Sequence, residues 1–183
     1  MLDSIKVNLK LPRYETLKAF EGKGNYAIRK YYLWPFSIFY RHKLKMIVEM
    51  IGDEYYHNIL DFGSGPGVFT EELRKHALFV SSYDVNYPKP KWTYDVVVCA
   101  SVLEFCELDT TINLLSKLVR PGGTLIIASP MKSKWTDLYF KIIGDTKIRH
   151  NQDSIAQAVN KHFQIVDYKT WFGFYFSLKG RLR

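Results

Sequence analysis

The strongest structural signal in this sequence is the stretch Ile59-Leu60-Asp61-Phe62-Gly63-Ser64-Gly65-Pro66-Gly67-Val68-Phe69-Thr70. Its first four residues resemble the end of a buried strand, and three alternating glycines then interrupt that strand. The segment Val68 to Lys75 has helical character, with Leu73 placed to pack inward. A strand, a glycine-rich turn and a helix in this order predict a nucleotide-type site at the carboxyl end of the strand. Glycine permits a positive φ and a close backbone approach to a ligand, and the helix start offers N–H donors.

The spacing of the glycines separates two kinds of site. A dinucleotide fingerprint, G-x-G-x-x-G, requires a third glycine where this chain has Val68. The phosphate loop G-x-x-x-x-G-K-[ST] does not occur. The observed pattern, D-x-G-x-G-x-G beginning at Asp61, resembles motif I of the class I S-adenosylmethionine-dependent methyltransferases. A purely structural glycine turn is the alternative.

Two later stretches extend this resemblance to roughly Ile59 to Pro130. Tyr94 to Phe105 is similar to the family's fourth-strand motif, which ends in V-L-E-H, although Phe105 replaces the usual histidine. Leu118 to Ile127 is similar to the family's P-G-G turn before its fifth strand. We assign this turn a structural role.

The resemblance implies a Rossmann-like methyltransferase fold and S-adenosyl-L-methionine as the cofactor. The expected cofactor contacts are Asp61, Gly63, Ser64, Gly65, Gly67, Asp84, Val85, Ala100, Ser101 and Val102. Asp84 ends the second predicted strand, where the family has an acid that accepts hydrogen bonds from both ribose hydroxyls. One carboxylate can accept from a vicinal diol, which suits that task. A surface aspartate that caps a turn is the alternative.

Catalytic and substrate residues are proposed on the same basis. Glu104 and His150 are the candidate catalytic residues, because the first belongs to the fourth-strand motif and relatives often carry a histidine near the second. The alternatives are a loop or capping acid and a solvated loop histidine. The candidate substrate contacts Tyr26, Tyr31 and Trp34 come from an aromatic cluster. Zinc-ligand spacing is absent, so we expect no metal.

The pattern predicts an α/β fold with a mostly parallel twisted sheet. The predicted strands are Asn58–Phe62, Leu78–Val85, Tyr94–Ala100, Thr124–Ser129, Phe163–Trp171 and Phe174–Lys179, the last two as an antiparallel hairpin; the predicted helices include Phe36–Met50, Leu108–Val119 and Asp153–His162. Only nine residues separate Asp84 from Tyr94, too few for the helix and strand that relatives place there. We therefore expect one strand-helix unit to be missing. Trp92 and Tyr94 are expected to pack in the core, and stacking on the adenine base of the cofactor is the alternative for each.

Length predicts a single domain over residues 1–183, divided into an N-terminal helical cover (1–52), a cofactor-binding core (53–130), and a lid with C-terminal strands (131–183). No apolar run approaches the length of a membrane span and no signal sequence opens the chain. Cys99 and Cys106 are expected to be free thiols, which favours a cytoplasmic location.

The net charge of +8 is unevenly distributed. Residues 1–50 hold 10 Lys and Arg against 4 Asp and Glu, residues 51–130 hold 6 against 10, and residues 131–183 hold 10 against 4. Basic flanks favour an anionic substrate or surface, and a solvated lysine-rich surface is the alternative. Aromatic residues between Tyr26 and Tyr40 and after Trp171 suit an anionic membrane surface or stacked bases, unless they pack on the helix Phe36–Met50.

Three functions follow from these observations. The V-L-E motif and the aromatic cover favour in-line methyl transfer to a small-molecule or lipid acceptor, with peripheral membrane association. The basic flanks favour an RNA methyltransferase, although no nucleic-acid module is recognisable, so nucleic acid is the less favoured partner. The missing unit and Phe105 favour a non-catalytic binding protein of the same fold. The sequence identifies neither the acceptor nor the oligomeric state.

Overall fold

A computed structural model of the chain describes residues 8–20, 28–84, 90–142 and 150–183. The strands are β1 (Tyr56–Phe62), β2 (Ala77–Tyr83), β3 (Tyr94–Ala100), β4 (Val119–Pro130), β5 (Phe163–Trp171) and β6 (Tyr175–Leu182). The helices are α1 (Tyr14–Leu17), α2 (Phe36–Ile51), α3 (Thr70–Leu73), α4 (Leu108–Leu118), α5 (Lys134–Ile142) and α6 (Gln152–Asn160). Short 3₁₀ turns cover Lys18–Phe20, Ile28–Tyr31 and Leu103–Phe105.

The six strands form one sheet in the order β2-β1-β3-β4-β6-β5. β1 to β4 run parallel, while β6 lies antiparallel to both β4 and β5. This confirms the predicted α/β fold, a mostly parallel sheet that ends in a C-terminal antiparallel hairpin.

The core lies on both faces of the central strands, because successive strand residues point to opposite sides. On one face, Val97 and Leu125 pack with Leu115 of α4 and Ile155 of α6. On the other face, Ile59, Val96, Val98 and Ile126 pack with Leu44 and Ile47 of α2. The continuous apolar runs of β3 and β4 are therefore explained by burial on both sides.

The helix after the glycine turn is much shorter than predicted. The sequence favoured Val68 to Lys75, but α3 is the single turn Thr70–Leu73. The chain must return to β2 at Ala77, and the N–H of His76 already donates to the Leu73 carbonyl in a turn. Leu73 is buried, as predicted. A one-turn helix contributes little dipole, so the loop geometry, rather than a helix terminus, shapes the site.

β4 begins at Val119, five residues before the predicted start. The P-G-G turn is therefore the irregular first part of the strand, and the pairing with β3 shifts between Tyr94 and Val96. A Cβ added at Gly123 would lie 2.9 Å from the Arg120 carbonyl oxygen and 3.0 Å from that of Asp95. Glycine is needed here because two backbone carbonyls approach closely.

β2 lies at the edge of the sheet, where the missing strand-helix unit would have covered it. Among the described residues no strand pairs with its outer side, and Leu78 and Phe79 are 58% and 57% exposed. The core assignment is right for Tyr94, which is buried. It is wrong for Trp92, which is 76% exposed because it lies in the short connection before β3 and not in a strand.

The aromatic residues of the tail mostly pack on α2, as the packing alternative stated. Phe39 of α2 contacts Tyr139, Trp171 and Phe174 with ring centroids 4.9 to 5.4 Å apart. Two residues differ: Phe176 is buried in the core on the face covered by α4 and α6, and Phe172 is 78% exposed. Cys99 and Cys106 are both free, as predicted. Within the described ranges, the helices are too short or too polar to cross a membrane.

Candidate functional site

The glycine turn lies against the segment that follows β3, at the carboxyl ends of the parallel strands. Gly63 has φ +75°, and a Cβ added to it would fall 2.1 Å from Val102 Cγ2. No larger residue fits there without displacing Val102. The structure therefore brings together two predicted cofactor contacts from different parts of the chain.

The acid at the end of β2 holds this turn in place. Asp84 Oδ2 accepts a hydrogen bond of 3.0 Å from the backbone N–H of Gly65. The N–H groups of Gly63 and Ser64 donate to the Tyr83 carbonyl at 2.7 and 3.0 Å. Three N–H groups of the turn thus donate to acceptors at the end of β2, which holds the turn in place. The carboxylate of Asp84 lies next to the glycine turn. Its ribose-binding role stays a prediction.

Asp61, the first acid of the motif, is buried at the end of β1. Only 3% of it is exposed, and its Oδ2 accepts from Thr70 Oγ1 at 2.7 Å. Burial raises the pKa of Asp61 to about 6, while the Thr70 hydrogen bond lowers it and the negative charge of Asp84 raises it further. No basic side chain in residues 8–20, 28–84, 90–142 or 150–183 pairs with Asp61, and a buried carboxylate in this condition favours a nearby positive charge.

Lys43 of α2 is the main feature of the site that sequence reasoning missed. It is 1% exposed, and its Nζ donates to Ser101 Oγ at 2.8 Å and to Tyr31 Oη at 3.2 Å. The rings of Tyr31, Tyr40 and Tyr175 surround this nitrogen at 5.4 to 5.7 Å from their centroids. Burial raises the pKa of the Tyr175 hydroxyl well above its usual value, so that group is neutral.

A signal for Lys43 existed in the sequence. Tyr40, Leu44 and Ile47 form the buried stripe of α2, and Lys43 occupies an i+3 position within that stripe. A lysine on an apolar helix face is unusual, because its charge must be compensated when it is buried.

Glu104, the first candidate catalytic residue, is part of the 3₁₀ turn after β3, and His150, the second, contacts the residue that follows this turn. Glu104 is buried at 4% exposure, and its charge contributes to the raised pKa of Tyr175 after burial and the neighbouring tyrosines. His150 is half-buried, and its Nε2 lies 3.0 Å from the Cys106 carbonyl oxygen. That contact requires the proton on Nε2. Neither geometry tests a catalytic role.

The remaining predicted site residues divide into three groups. Ala100 ends β3 beside Ser101, and Gly67 has φ +81° within the turn. Trp34 is 76% exposed and makes no contribution to the buried cluster around Lys43. Val85 and Tyr26 lie outside the described residues.

A cavity of about 480 Å³ opens on the outer side of the turn. The segment Lys10 to Arg13 lines one wall, and Ser64, Gly65, Gly67 and Thr70 line the other. Gly63, Asp84 and Ser101 do not line it. The cavity and the cluster at the carboxyl ends of the strands therefore share residues of the turn, but the cavity does not extend to Asp84 or Ser101.

Comparisons with solved structures identify the fold. The N-methyltransferase NodS from Bradyrhizobium japonicum WM9, in complex with S-adenosyl-L-homocysteine, has a TM-score of 0.64 and 18% identity over 92% of this chain and 97% of that one. The magnesium protoporphyrin IX methyltransferase ChlM from Synechocystis PCC 6803, also with S-adenosylhomocysteine bound, has a TM-score of 0.65 and 16% identity over 93% of this chain and 94% of that one. No family model matches the sequence, and no curated protein matches it. The chain has the fold of S-adenosylmethionine-dependent methyltransferases.

Proposed function

We propose that this chain is an S-adenosylmethionine-dependent methyltransferase that acts on a small-molecule or lipid acceptor. The observation that carries the proposal is the contact between the glycine turn and Val102, with Asp84 holding the turn. These parts lie at the carboxyl ends of adjacent parallel strands, where α/β folds bind nucleotide-type ligands.

The residues of the turn fit such a cofactor. The hydroxyl oxygen of Ser64 is buried and has no hydrogen-bond partner among the described residues, and a buried hydroxyl in that condition favours a ligand partner. Gly63, Gly65 and Asp84 would hold the nucleoside part, and Ala100 to Val102 the methionine part. When bound, the cofactor supplies a methyl group that its sulfonium already activates.

The chain's own residues then bind the cofactor and the acceptor, orient the acceptor atom towards the methyl group, and exclude water. The buried carboxylate of Asp61 favours a positively charged ligand beside β1, because no basic side chain in the described part of the chain offsets its desolvation. Glu104 and His150 are the groups on this chain that could take a proton from an acceptor hydroxyl. A base is needed only when the acceptor atom is protonated at neutral pH.

Tyr26, Tyr31 and Trp34 would contact the acceptor from the N-terminal cover of residues 1–52. The neighbour that methylates magnesium protoporphyrin IX supports an acceptor of the small-molecule class. An anionic membrane surface is a second proposed partner, because Trp34, Trp135 and Phe172 are 76%, 69% and 78% exposed in basic parts of the chain. A cytoplasmic location and a single domain over 1–183 remain part of the proposal.

Calorimetric titration with S-adenosylmethionine and S-adenosylhomocysteine tests the proposal. We expect saturable binding with one site per chain. A folded protein that binds neither compound would leave only the non-catalytic alternative. An acceptor screen with labelled cofactor then separates a small molecule or lipid from RNA, which the basic flanks keep as the second candidate.

A further inference from the structure

The Lys43 ammonium is buried without an acidic partner. No salt bridge within the described ranges involves Lys43, and its exposure is 1%. Two hydroxyls and three ring faces offset part of the cost of burying this cation. An anion placed nearby would offset the rest.

The direction of the hydrogen bonds defines where such an anion would bind. An ammonium is only a donor, so the oxygens of Ser101 and Tyr31 must accept from Lys43. Each hydroxyl therefore keeps its own hydrogen to donate. Among the described residues nothing accepts either hydrogen, and both side chains are only half-buried. Lys43 thus orients two accessible hydroxyls as donors and strengthens them through its charge.

The backbone at Ser101 gives a second, independent observation. Ser101 has φ +55°, in the left-handed region that non-glycine residues seldom adopt, and its N–H donates to the Ala128 carbonyl at 2.8 Å. Such a conformation is strained, and strained residues of this kind are concentrated at ligand-binding and active sites. Here it holds the Ser101 hydroxyl next to Lys43, at the carboxyl end of β3.

We propose that Ser101 and Tyr31, backed by Lys43, form a binding site for an anionic oxygen such as a carboxylate or phenolate. This proposal rests on the proposed function for the source of that oxygen. Either the methionine carboxylate of the cofactor or an acidic group of the methyl acceptor would supply it. The site selects charge, since a neutral group of the same shape leaves the buried cation uncompensated.

The test compares Lys43→Met with Lys45→Met as a matched control. Lys45 lies two residues further along α2, half-buried and outside the cluster. We expect Lys43→Met to be at least as stable as the wild type in a thermal melt, because methionine fills a similar volume without a buried charge. Ser101→Ala and Tyr31→Phe remove one hydroxyl each and serve as further variants.

Two pairs of probes distinguish the sources. For the cofactor, S-adenosylhomocysteine is compared with its decarboxylated analogue, S-adenosyl-3-thiopropylamine, which keeps the ammonium group and lacks only the carboxylate. For the acceptor, benzoate is compared with benzyl alcohol in the presence of S-adenosylhomocysteine. In wild type and Lys45→Met, at least one carboxylate probe should bind about tenfold or more tightly than the partner that lacks the carboxylate, the range for hydrogen bonds to charged groups. Lys43→Met should lose that preference, and the single-hydroxyl variants should lose part of it.

The outcomes keep this proposal separate from the function. A wild type without either preference, or a folded Lys43→Met that retains the full preference, overturns the anion site. A wild type that binds neither nucleoside overturns the proposed cofactor, and a benzoate preference measured without nucleoside still supports the anion site.

Discussion

Replacing Asp61 by asparagine should stabilise the protein at neutral and alkaline pH. Asparagine has the same shape and its oxygen can still accept from Thr70, but it carries no charge. Burial raises the pKa of Asp61 from 3.8 to about 6, so the buried carboxylate costs free energy whenever it is ionised. With about 1.4 kcal/mol per pKa unit, the full cost is about 3 kcal/mol.

The sign of the pH dependence is the reverse of that of a salt-bridged acid. A carboxyl with a raised pKa binds its proton more tightly in the folded state, so its contribution to stability is largest below pH 3.8. That contribution falls as the pH rises towards about 6 and is constant above it. Between pH 5 and pH 8, the advantage of Asp61→Asn over the wild type should grow by about 1.4 kcal/mol.

Urea denaturation of both proteins at several pH values measures this difference. Asp95→Asn is a control for which the expected change in stability has the opposite sign. Burial raises the pKa of Asp95, but hydrogen bonds from Arg120 and from the N–H groups of Asn58 and His57 lower it more, so the pKa is lowered overall. Its carboxylate stabilises the fold above pH 3.8 and loses that effect as the pH falls, so Asp95→Asn should destabilise at pH 8. If the advantage of Asp61→Asn does not change with pH, or shrinks towards pH 8, the ionised Asp61 carboxylate does not destabilise the folded protein.

Four further predictions concern ligands and partners. Asp84→Asn can still accept from the Gly65 N–H but loses the charge, so the free energy of cofactor binding should weaken by about 1.5–3 kcal/mol in calorimetry. Asp84→Ala should weaken it further, because the turn then also loses this hydrogen bond. Gly65→Val should abolish cofactor binding, because a branched Cβ would occupy the space expected for the ligand and the position has φ +53°, while circular dichroism should show a retained fold. His150→Ala should lower kcat more than KM in a methyl-transfer assay if this residue is a base, and an unchanged pH profile would exclude that role. Trp135→Ala combined with Phe172→Ala should reduce co-sedimentation with anionic liposomes, whereas equal recovery of the wild type with anionic and neutral vesicles would reject the membrane surface.

The parts of the fold that the sequence predicted well are those with strong local signals. The β3 run from Tyr94 to Ala100 was predicted to the residue, because an apolar strand buried on both faces has a pattern that tertiary contacts do not alter. The length of the connection after Asp84 was enough to predict the missing unit, since chain reach is a covalent limit. The extents of α3 and β4 were predicted wrongly because the path of the neighbouring strand, rather than helical or strand propensity, determines where they begin and end.

The candidate site was predictable only along the chain, not across it. The glycines and Asp84 belong to one contiguous stretch or to the next strand end, so their spacing indicated a common site. Lys43 meets Ser101 across 58 positions of sequence, and only the packing of α2 on the sheet brings them together. The prediction that Trp92 packs in the core was wrong for a related reason. An aromatic residue in a connection does not itself show whether another part of the chain covers it.

The outer edge of β2, which no described strand covers, should promote aggregation of the protein at high concentration and during refolding. An edge strand presents a template to any extended chain, and most edges are protected by a charge or a proline within the strand. The seven residues of β2 contain neither, and two of their large apolar side chains are more than half exposed. The charges that can act as gatekeepers against aggregation, Arg74 and Lys75, lie just before the strand. A lysine in place of Leu78, at the end of β2 remote from Asp84, should therefore raise the refolding yield and soluble concentration without altering the ligand-binding end of the sheet.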